Sequence, residues 1–121
     1  LLRLPFLAVH VGLLLPLVVL VLVFPGSRGW TWNGESAHSR VIRRWSAGLM
    51  RVFGFTVKRY GTPLPGAVLF VANHVSWIDI ELFHSQLWAG FVSKAEVEKW
   101  PLVGWLASLG GTIYHHRGSQ D

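Results

Sequence analysis

Cysteine is absent from this chain of 121 residues. Its absence excludes a cysteine nucleophile, a covalent thioester intermediate on the chain and any metal site built from thiolates. It also fits a reducing compartment, where disulfides do not persist. Acidic residues are few: six Asp and Glu stand against 11 Lys and Arg, so the formal net charge is +5. A basic balance of this kind favours a polyanionic partner, either nucleic acid or an anionic lipid surface.

An apolar run near the N-terminus favours lipid. Residues 4–24 are almost wholly apolar, interrupted by one histidine, one glycine and two prolines, among them Pro16. About 20 apolar residues span a bilayer core, so the run predicts one membrane helix. Pro16 also allows two short helices that enter one leaflet. A cleaved signal peptide is the third interpretation, although no small-residue cleavage site follows. We interpret residues 1–34 as a retained membrane anchor and connector, with membrane lipid rather than nucleic acid as the partner.

The arginines around this run predict its orientation. Arg3 alone precedes the apolar run, whereas Arg28, Arg40, Arg43 and Arg44 follow it. By the positive-inside rule, the rest of the chain then faces the cytoplasm. The expected location is therefore the inner (cytoplasmic) membrane, with the catalytic part on its cytoplasmic side.

Residues 36–53 have helical periodicity, and we take residues 35–54 as an amphipathic interfacial helix. The predicted apolar face consists of Val41, Ile42, Trp45, Leu49, Val52 and Phe53. Arg40, Arg44 and Arg51 cluster on the opposite face. These arginines can lie near lipid phosphates, or they can simply face water while the apolar side packs on the domain. Trp30 and Trp32, just before the helix, are either an interfacial tryptophan belt or ordinary packing residues.

Residues 55–121 alternate between strand-like and helix-like patterns. Strands are predicted at residues 55–60, 67–72, 91–93 and 111–115, and helices at residues 77–87 and 101–109. Such alternation is typical of an α/β fold, in which a mostly parallel sheet is covered by helices. The predicted architecture is thus N-terminal membrane-associated helical segments followed by a mostly parallel sheet with helices. Residues 67–72 are expected to form its buried central strand.

His74 and Asp79 follow that predicted strand and are the candidate catalytic pair. A neutral imidazole accepts a proton near pH 7, and a carboxylate on its other ring nitrogen fixes the tautomer and stabilises the imidazolium. Five residues along a helix correspond to about 140° of rotation, so both residues cannot lie on one helical face. They meet only if His74 lies in the loop and Asp79 in the first turns of the next helix.

Lys94 and Arg117 are the candidate substrate-binding cations, because each follows a predicted strand. The carboxyl ends of strands in an open α/β sheet line the ligand crevice, so both cations are expected at the same edge as His74. Two cations beside a candidate base suit an anionic substrate, most naturally a phosphate. The alternative for each cation is a solvated surface charge.

Three segments resemble the glycerolipid acyltransferase family. Asn73-His74-x-Ser76-x-x-Asp79 is similar to the first signature block of that family. Lys94-x-Glu96-(x4)-Pro101-x-x-Gly104 resembles the segment that follows it, and Gly111-x-Ile113-Tyr114-x-x-Arg117 resembles the second block. The order and spacing of all three agree, and the resemblance covers residues 67–121.

The resemblance implies acyl transfer from acyl-CoA or acyl-ACP to the free hydroxyl of a lysophospholipid, foremost 1-acylglycerol-3-phosphate. In this reaction His74 is the general base, Asp79 orients it, and Arg117 and Lys94 bind the acceptor phosphate. The implied attack is direct, without an acyl-enzyme, and needs neither cofactor nor metal. The family's third block, a Phe-Pro-Glu-Gly-type loop, does not occur before Asp121. The chain is therefore expected to be the N-terminal part of an acyltransferase domain.

Four other interpretations stay open. The acceptor can be another lysolipid, such as lyso-ornithine lipid. Ser76 can be the nucleophile of a membrane esterase, but no G-x-S-x-G elbow surrounds it, and its commoner use is to cap the following helix. His115 and His116 with His84 and His74 can bind a metal, although adjacent strand residues point to opposite faces. Finally, the chain can be a non-catalytic membrane-surface module.

Overall fold

The structure of the protein is a computed structural model that describes residues 3–116 and 118. Its helices are α1 (Arg3–Val9), a π-helical turn (His10–Leu14), α2 (Leu15–Val23), α3 (Ala37–Phe53), α4 (Ile78–Gln86), α5 (Ala95–Glu98) and α6 (Val103–Leu109). Its strands are β1 (Thr31–Trp32), β2 (Glu35–Ser36), β3 (Val92–Lys94) and β4 (Ile113–His115).

The N-terminal apolar run forms one continuous helix, Arg3–Val23, of 21 residues. The mean hydropathy of its apolar window is 2.8, and 6% of that window is buried inside the protein. By length and composition, the helix can cross a membrane. Pro16 lies at the start of α2, directly after the π-helical turn. Since proline cannot donate a backbone hydrogen bond, the wider turn before it accommodates the missing donor. The helix therefore passes Pro16 without dividing into two short helices.

Helix α3 carries the contacts that hold this apolar helix. Nε2 of His10 donates to the carbonyl of Trp45 at 2.9 Å, and the two rings stack with centroids 5.2 Å apart. Gly48 permits this approach, because a Cβ there would lie 2.5 Å from the His10 ring. At the other end, Nη1 of Arg3 donates to the carbonyl of Phe53 at 2.8 Å, where a cation complements the helix C-terminus.

The predicted helix over residues 36–53 is confirmed as α3. Ser36 caps it by accepting a hydrogen bond from the amide of Ser39 at 3.1 Å, and Gly54 ends it in the left-handed region at φ 78°. Its buried residues are His38, Ile42, Ser46, Leu49 and Met50. The buried face is thus more polar than the predicted one, because His38 and Ser46 both find partners inside the protein.

The predicted central strand is wrong for the described residues. Residues 67–72 form no strand and are all exposed, with Leu69 and Val71 exposed by 83% and 88%. A strand is stabilised by a hydrogen-bonded neighbour, and no segment of residues 3–116 pairs with this run. Residues 55–60 likewise form no strand.

Two small sheets replace the mostly parallel sheet that the alternating pattern predicts. β3 pairs in parallel with β4, with Val92 opposite Ile113 and Lys94 opposite His115. β1 pairs antiparallel with β2 instead. The α/β character is confirmed for the β3–α5–α6–β4 unit alone, because a parallel pair needs such a crossover connection.

The remaining two predicted helices both form. α4 agrees with the prediction for residues 77–87 to within one residue at each end. α6 begins at Val103 rather than at Pro101, since the backbone of Leu102 has φ 61°, outside the helical region. A Cβ at position 104 would lie 2.2 Å from the carbonyl oxygen of Glu98, which is a clash. Only glycine therefore allows α5 and α6 to meet this closely.

Candidate active site

The turn that leads into α4 closes on the side chain of Asp79. Oδ2 of Asp79 accepts hydrogen bonds from the amides of Val75 at 2.9 Å and Ser76 at 2.8 Å. The hydroxyl of Ser76 accepts from the amide of Ile78 at 3.1 Å. This is the reciprocal arrangement of a capping box, in which a serine and an acid three residues later satisfy the first amides of a helix. The predicted capping role of Ser76 is therefore observed.

The same turn brings His74 and Asp79 together. Nδ1 of His74 lies 3.4 Å from Oδ2 of Asp79. His74 lies in the loop and Asp79 in the first turn of α4, which is the arrangement that the spacing requires. The separation is longer than a direct hydrogen bond, which is normally 2.7–3.2 Å, so the two groups face each other without a close bond. The His74 side chain is 56% exposed and accessible to a substrate.

Hydrogen bonds keep Asp79 ionised. The amide of Ser76, then that of Val75, and then His74 lower the pKa of Asp79 below its ordinary value, because each interaction favours the carboxylate. An ionised Asp79 beside Nδ1 stabilises the imidazolium that forms when Nε2 of His74 takes a proton. Chemically, the pair can remove a proton from a hydroxyl group.

A cavity of about 400 Å³ opens beside His74. Its walls come from α2 to α6 and β3, so the apolar N-terminal helix forms part of the same enclosure as the candidate base. The apolar lining residues are Leu15, Val18, Leu22, Ile42, Trp45, Trp77, Ile80, Phe91, Val92, Val97, Val103, Leu106 and Ala107. This size and lining are typical of small-molecule sites and suit a hydrocarbon chain.

Glu81, Ser46 and His84 add polar groups to the cavity; sequence reasoning missed Glu81 and Ser46 and considered His84 only as a metal ligand. The hydroxyl of Ser46 donates to Oε2 of Glu81 at 2.6 Å. Burial raises the pKa of Glu81, since desolvation disfavours the carboxylate. Burial also lowers the pKa of His84, whose Nε2 donates to the carbonyl of Ala89 at 3.3 Å. The available signal was the three-residue spacing of Glu81 and His84, which places them on one face of α4.

Of the two predicted cations, only Lys94 lies within the described residues, and it does not join His74 in the cavity. Lys94 ends β3 with an exposed side chain and is not among the residues that line the cavity. Its neighbours Val92 and Ser93 line the cavity instead. Arg117 lies outside the described residues. The expected common sheet edge is missing because residues 67–72 form no strand.

The histidines predicted as a possible metal site are not grouped. Within residues 3–116 and 118, no three His, Asp or Glu side chains lie together as metal ligands. His84 is held by Ala89 and packs edge-on against Phe91 with ring centroids 4.9 Å apart.

The C-terminal half of the chain matches a known protein family. The acyltransferase family model matches residues 55–121, more than half of the chain. The matched segment includes the whole His74–Asp79 turn, together with β3, α5, α6 and β4. No solved structure gives a significant match to the chain.

Several bacterial enzymes are similar to the chain. Lyso-ornithine lipid O-acyltransferase of Pseudomonas aeruginosa is 46% identical over 68% of this chain and 32% of its own length. 1-Acyl-sn-glycerol-3-phosphate acyltransferase of Neisseria meningitidis is 36% identical over 77% of the chain and 37% of its own length. Lyso-ornithine lipid O-acyltransferase of Rhodobacter capsulatus is 33% identical over 91% of the chain and 38% of its own length. The chain thus spans about a third of the length of these relatives.

Proposed function

Because the chain belongs to the acyltransferase family, we propose that it carries the catalytic histidine and aspartate of a lysolipid acyltransferase. The enzyme moves a fatty acyl group from acyl-CoA or acyl-ACP to the free hydroxyl of a lysophospholipid. Both thioesters are substrates, and no cofactor or metal takes part. The observation that carries the proposal is the placement of Nδ1 of His74 opposite the ionised carboxylate of Asp79, beside an apolar cavity.

The reaction needs only one positioned base. Nε2 of His74 takes the proton of the acceptor hydroxyl while its oxygen attacks the thioester carbonyl. The tetrahedral intermediate then collapses, the carbon–sulfur bond breaks, and the thiolate takes the proton from His74. Asp79 stabilises the imidazolium between these two steps. Since the oxygen attacks directly, no acyl group is attached to the protein, which agrees with a chain that has no cysteine.

The cavity supports a lipid substrate. Its lining is mostly aliphatic and aromatic, and a fatty chain placed there buries its hydrocarbon away from water. α2 forms one wall through Leu15, Val18 and Leu22. If the helix Arg3–Val23 lies in the bilayer, the cavity borders the membrane, where a lysolipid is found.

The membrane arrangement follows from the same proposal. Residues 1–34 anchor and connect, residues 35–54 lie in the headgroup layer, and residues 55–121 begin the catalytic domain. The catalytic part then faces the cytoplasm at the inner membrane, where coenzyme A and acyl carrier protein are available.

We propose 1-acylglycerol-3-phosphate as the acceptor, with phosphatidic acid as the product for phospholipid biosynthesis. Arg117 and Lys94 bind its phosphate in this proposal, as charge-assisted hydrogen bonds to phosphate favour cations. The similarity to the Neisseria meningitidis enzyme supports this acceptor.

A second acceptor, lyso-ornithine lipid, has its own support. Two of the relatives described above carry that activity in their names, one of them at 46% identity. Its headgroup is an amino acid rather than a phosphate, so it makes no use of a phosphate site.

One assay separates these proposals. The whole membrane-embedded protein is supplied with acyl-CoA or acyl-ACP and with each acceptor in turn, and the diacyl product is measured by mass spectrometry. Phosphatidic acid as the main product supports the first acceptor, and acylated ornithine lipid supports the second. Absence of transfer to both acceptors, with membranes intact and donors hydrolytically stable, contradicts the acyltransferase proposal and leaves a non-catalytic membrane module.

A further inference from the structure

Glu81 and Ser46 form a polar spot in the wall of the apolar cavity. Ser46 is fully buried in α3, and its hydroxyl donates to Oε2 of Glu81 on α4 at 2.6 Å. Both residues line the cavity that also contains His74. Most of the other lining residues are apolar, and His84, on the same face of α4, is already held by the carbonyl of Ala89.

The second carboxyl oxygen of Glu81, Oε1, can still form a hydrogen bond. Among the described residues, the hydrogen bonds of Glu81 engage Oε2, and no cation lies within ion-pair distance of either oxygen. Because burial raises its pKa, Glu81 holds its proton to higher pH than an exposed glutamate. Ser46 donates to Oε2, so Oε1 can accept a hydrogen bond from a hydroxyl group in the cavity. When Oε1 carries the proton of the acid, it can donate a hydrogen bond instead.

We propose that Glu81, held by Ser46, binds an oxygen substituent on the hydrocarbon chain of the lipid that occupies the cavity. The ligand class is a fatty chain that carries a hydroxyl group along its length. This inference rests on the proposed function in one respect, namely that the cavity holds a lipid chain. A bare methylene chain leaves the polar oxygen of Glu81 unpaired, whereas a hydroxyl satisfies it, and buried polar groups discriminate strongly against partners that cannot pair with them.

The competing explanation is that the pair only clamps α3 to α4. A clamp contributes to stability, but it does not change the affinity for a hydroxylated chain relative to a plain chain of equal length. The ratio of the two affinities is therefore the quantity that separates the explanations.

Binding of free fatty acids measures this ratio without any acyl transfer. The protein in lipid nanodiscs is titrated with octadecanoic acid and with octadecanoic acids hydroxylated at successive positions, in competition with a fluorescent fatty acid. We expect at least one hydroxylated acid to bind about fivefold more tightly than the plain acid, the size of effect that one net hydrogen bond supplies. Since free acids carry no thioester, a failed acyltransferase assay leaves this measurement intact.

Substitutions then assign the preference to Glu81. Glu81→Met keeps the length of the side chain without its oxygens, and we expect it to remove the preference. Glu81→Gln keeps a donor and an acceptor and should retain it within about twofold. Glu98→Met, at an exposed glutamate of α5 outside the cavity, is the matched control and should behave like the parent.

Two results overturn the proposal. One is an equal affinity of the parent protein for the plain acid and for every hydroxylated acid. The other is a preference that survives in folded Glu81→Met. If Glu81→Met does not fold, Glu81→Leu takes its place, and loss of preference in Glu81→Gln with intact helicity also counts against the proposal.

Discussion

Nδ1 of His74 lies 3.4 Å from Oδ2 of Asp79, an oxygen that also accepts hydrogen bonds from the amides of Val75 and Ser76. The aspartate thus performs two tasks with one atom: it closes the first turn of α4, and it faces the imidazole. Because the two amides hold the carboxylate in place, its position does not depend on His74. The imidazole therefore meets a preorganised negative charge, which needs no rearrangement when a proton arrives.

Replacing His74 tests the base. In the whole protein, His74→Ala should lower the rate of acyl transfer by about 10²–10⁴, since a positioned general base commonly contributes that much. The His74 side chain is more than half exposed, so its loss should leave the fold and membrane association unchanged. Turnover is measured with radiolabelled acyl donor, and helicity by circular dichroism serves as the control. A purified, folded variant with near-parental turnover would show that His74 is not the base.

Asp79 and Ser76 should differ sharply when each is replaced. Asp79→Asn keeps the shape but removes the charge that faces Nδ1, and its amide group can hold the wrong tautomer of His74. We expect about a hundredfold or greater loss of kcat. Ser76→Ala removes only the hydroxyl that accepts from Ile78, a cap worth about 1 kcal/mol, and should mainly lower thermal stability. Equal losses of kcat in both variants would contradict the distinction.

The elements predicted correctly from sequence are those whose stability is local. α3 follows from its periodic apolar residues and α4 from the cap Ser76, and these features lie within one helix or beside its first turn. The His74–Asp79 approach is local as well, since only five residues separate the two and a helix start brings them together. Sequence spacing alone therefore suffices to bring this part of the candidate site together.

The errors concern interactions between distant segments. Residues 67–72 have the composition of a buried strand, but a strand also needs a partner, and pairing is not encoded in the run itself. Glu81 looks like an ordinary surface acid until α3 packs against α4 and brings Ser46 to it from 35 residues away. The His10–Trp45 contact spans the same separation. Such groupings depend on tertiary packing, which no local pattern reports.

Replacing Arg117 tests whether this residue binds the phosphate of the acceptor. Arg117→Ala should raise the KM for 1-acylglycerol-3-phosphate about tenfold or more while changing the KM for the acyl donor by less than about twofold, because charge-assisted bonds to phosphate are lost. Arg117→Lys should recover only part of the loss, as lysine offers no planar fork. Steady-state kinetics with each substrate varied in turn checks this. Equal effects on donor and acceptor would assign Arg117 a structural role.

Glu81 should make stability depend on pH. Burial raises its pKa in the folded state above the ordinary value of 4.5, so the folded protein holds this proton more tightly than the unfolded chain. The associated stability is fully present below the unfolded pKa and is lost as pH rises through the folded pKa. Glu81→Gln does not titrate, so its melting temperature relative to the parent should increase over this pH window. Thermal melts in detergent check it, with Glu98→Gln as the control; a constant difference across the window contradicts it.

Membrane attachment should have a hydrophobic and an electrostatic part. Only 6% of the apolar window in helix Arg3–Val23 is buried within the protein, so most of its apolar surface is available to lipid. High-salt or carbonate washing should therefore leave the intact protein in membranes. Salt screens attraction between arginines and lipid phosphates but has little effect on buried hydrocarbon. Recovery of the intact protein in the soluble fraction before any deletion would contradict the anchor.

Deleting residues 1–24 should expose the electrostatic part. Arg43 already forms two hydrogen bonds to Glu35, at 2.9 and 2.8 Å, so the exposed Arg44 and Arg51 are left to meet lipid phosphates. Binding of the truncated protein to anionic vesicles should then be salt-sensitive. Arg44→Gln or Arg51→Gln should weaken it about fivefold each, since a cation near an anionic surface is worth about 1 kcal/mol. Lys58→Gln removes the same charge from the exposed segment after α3 and is the matched control. Equal weakening by all three substitutions would show that net charge, rather than this face of α3, binds the membrane.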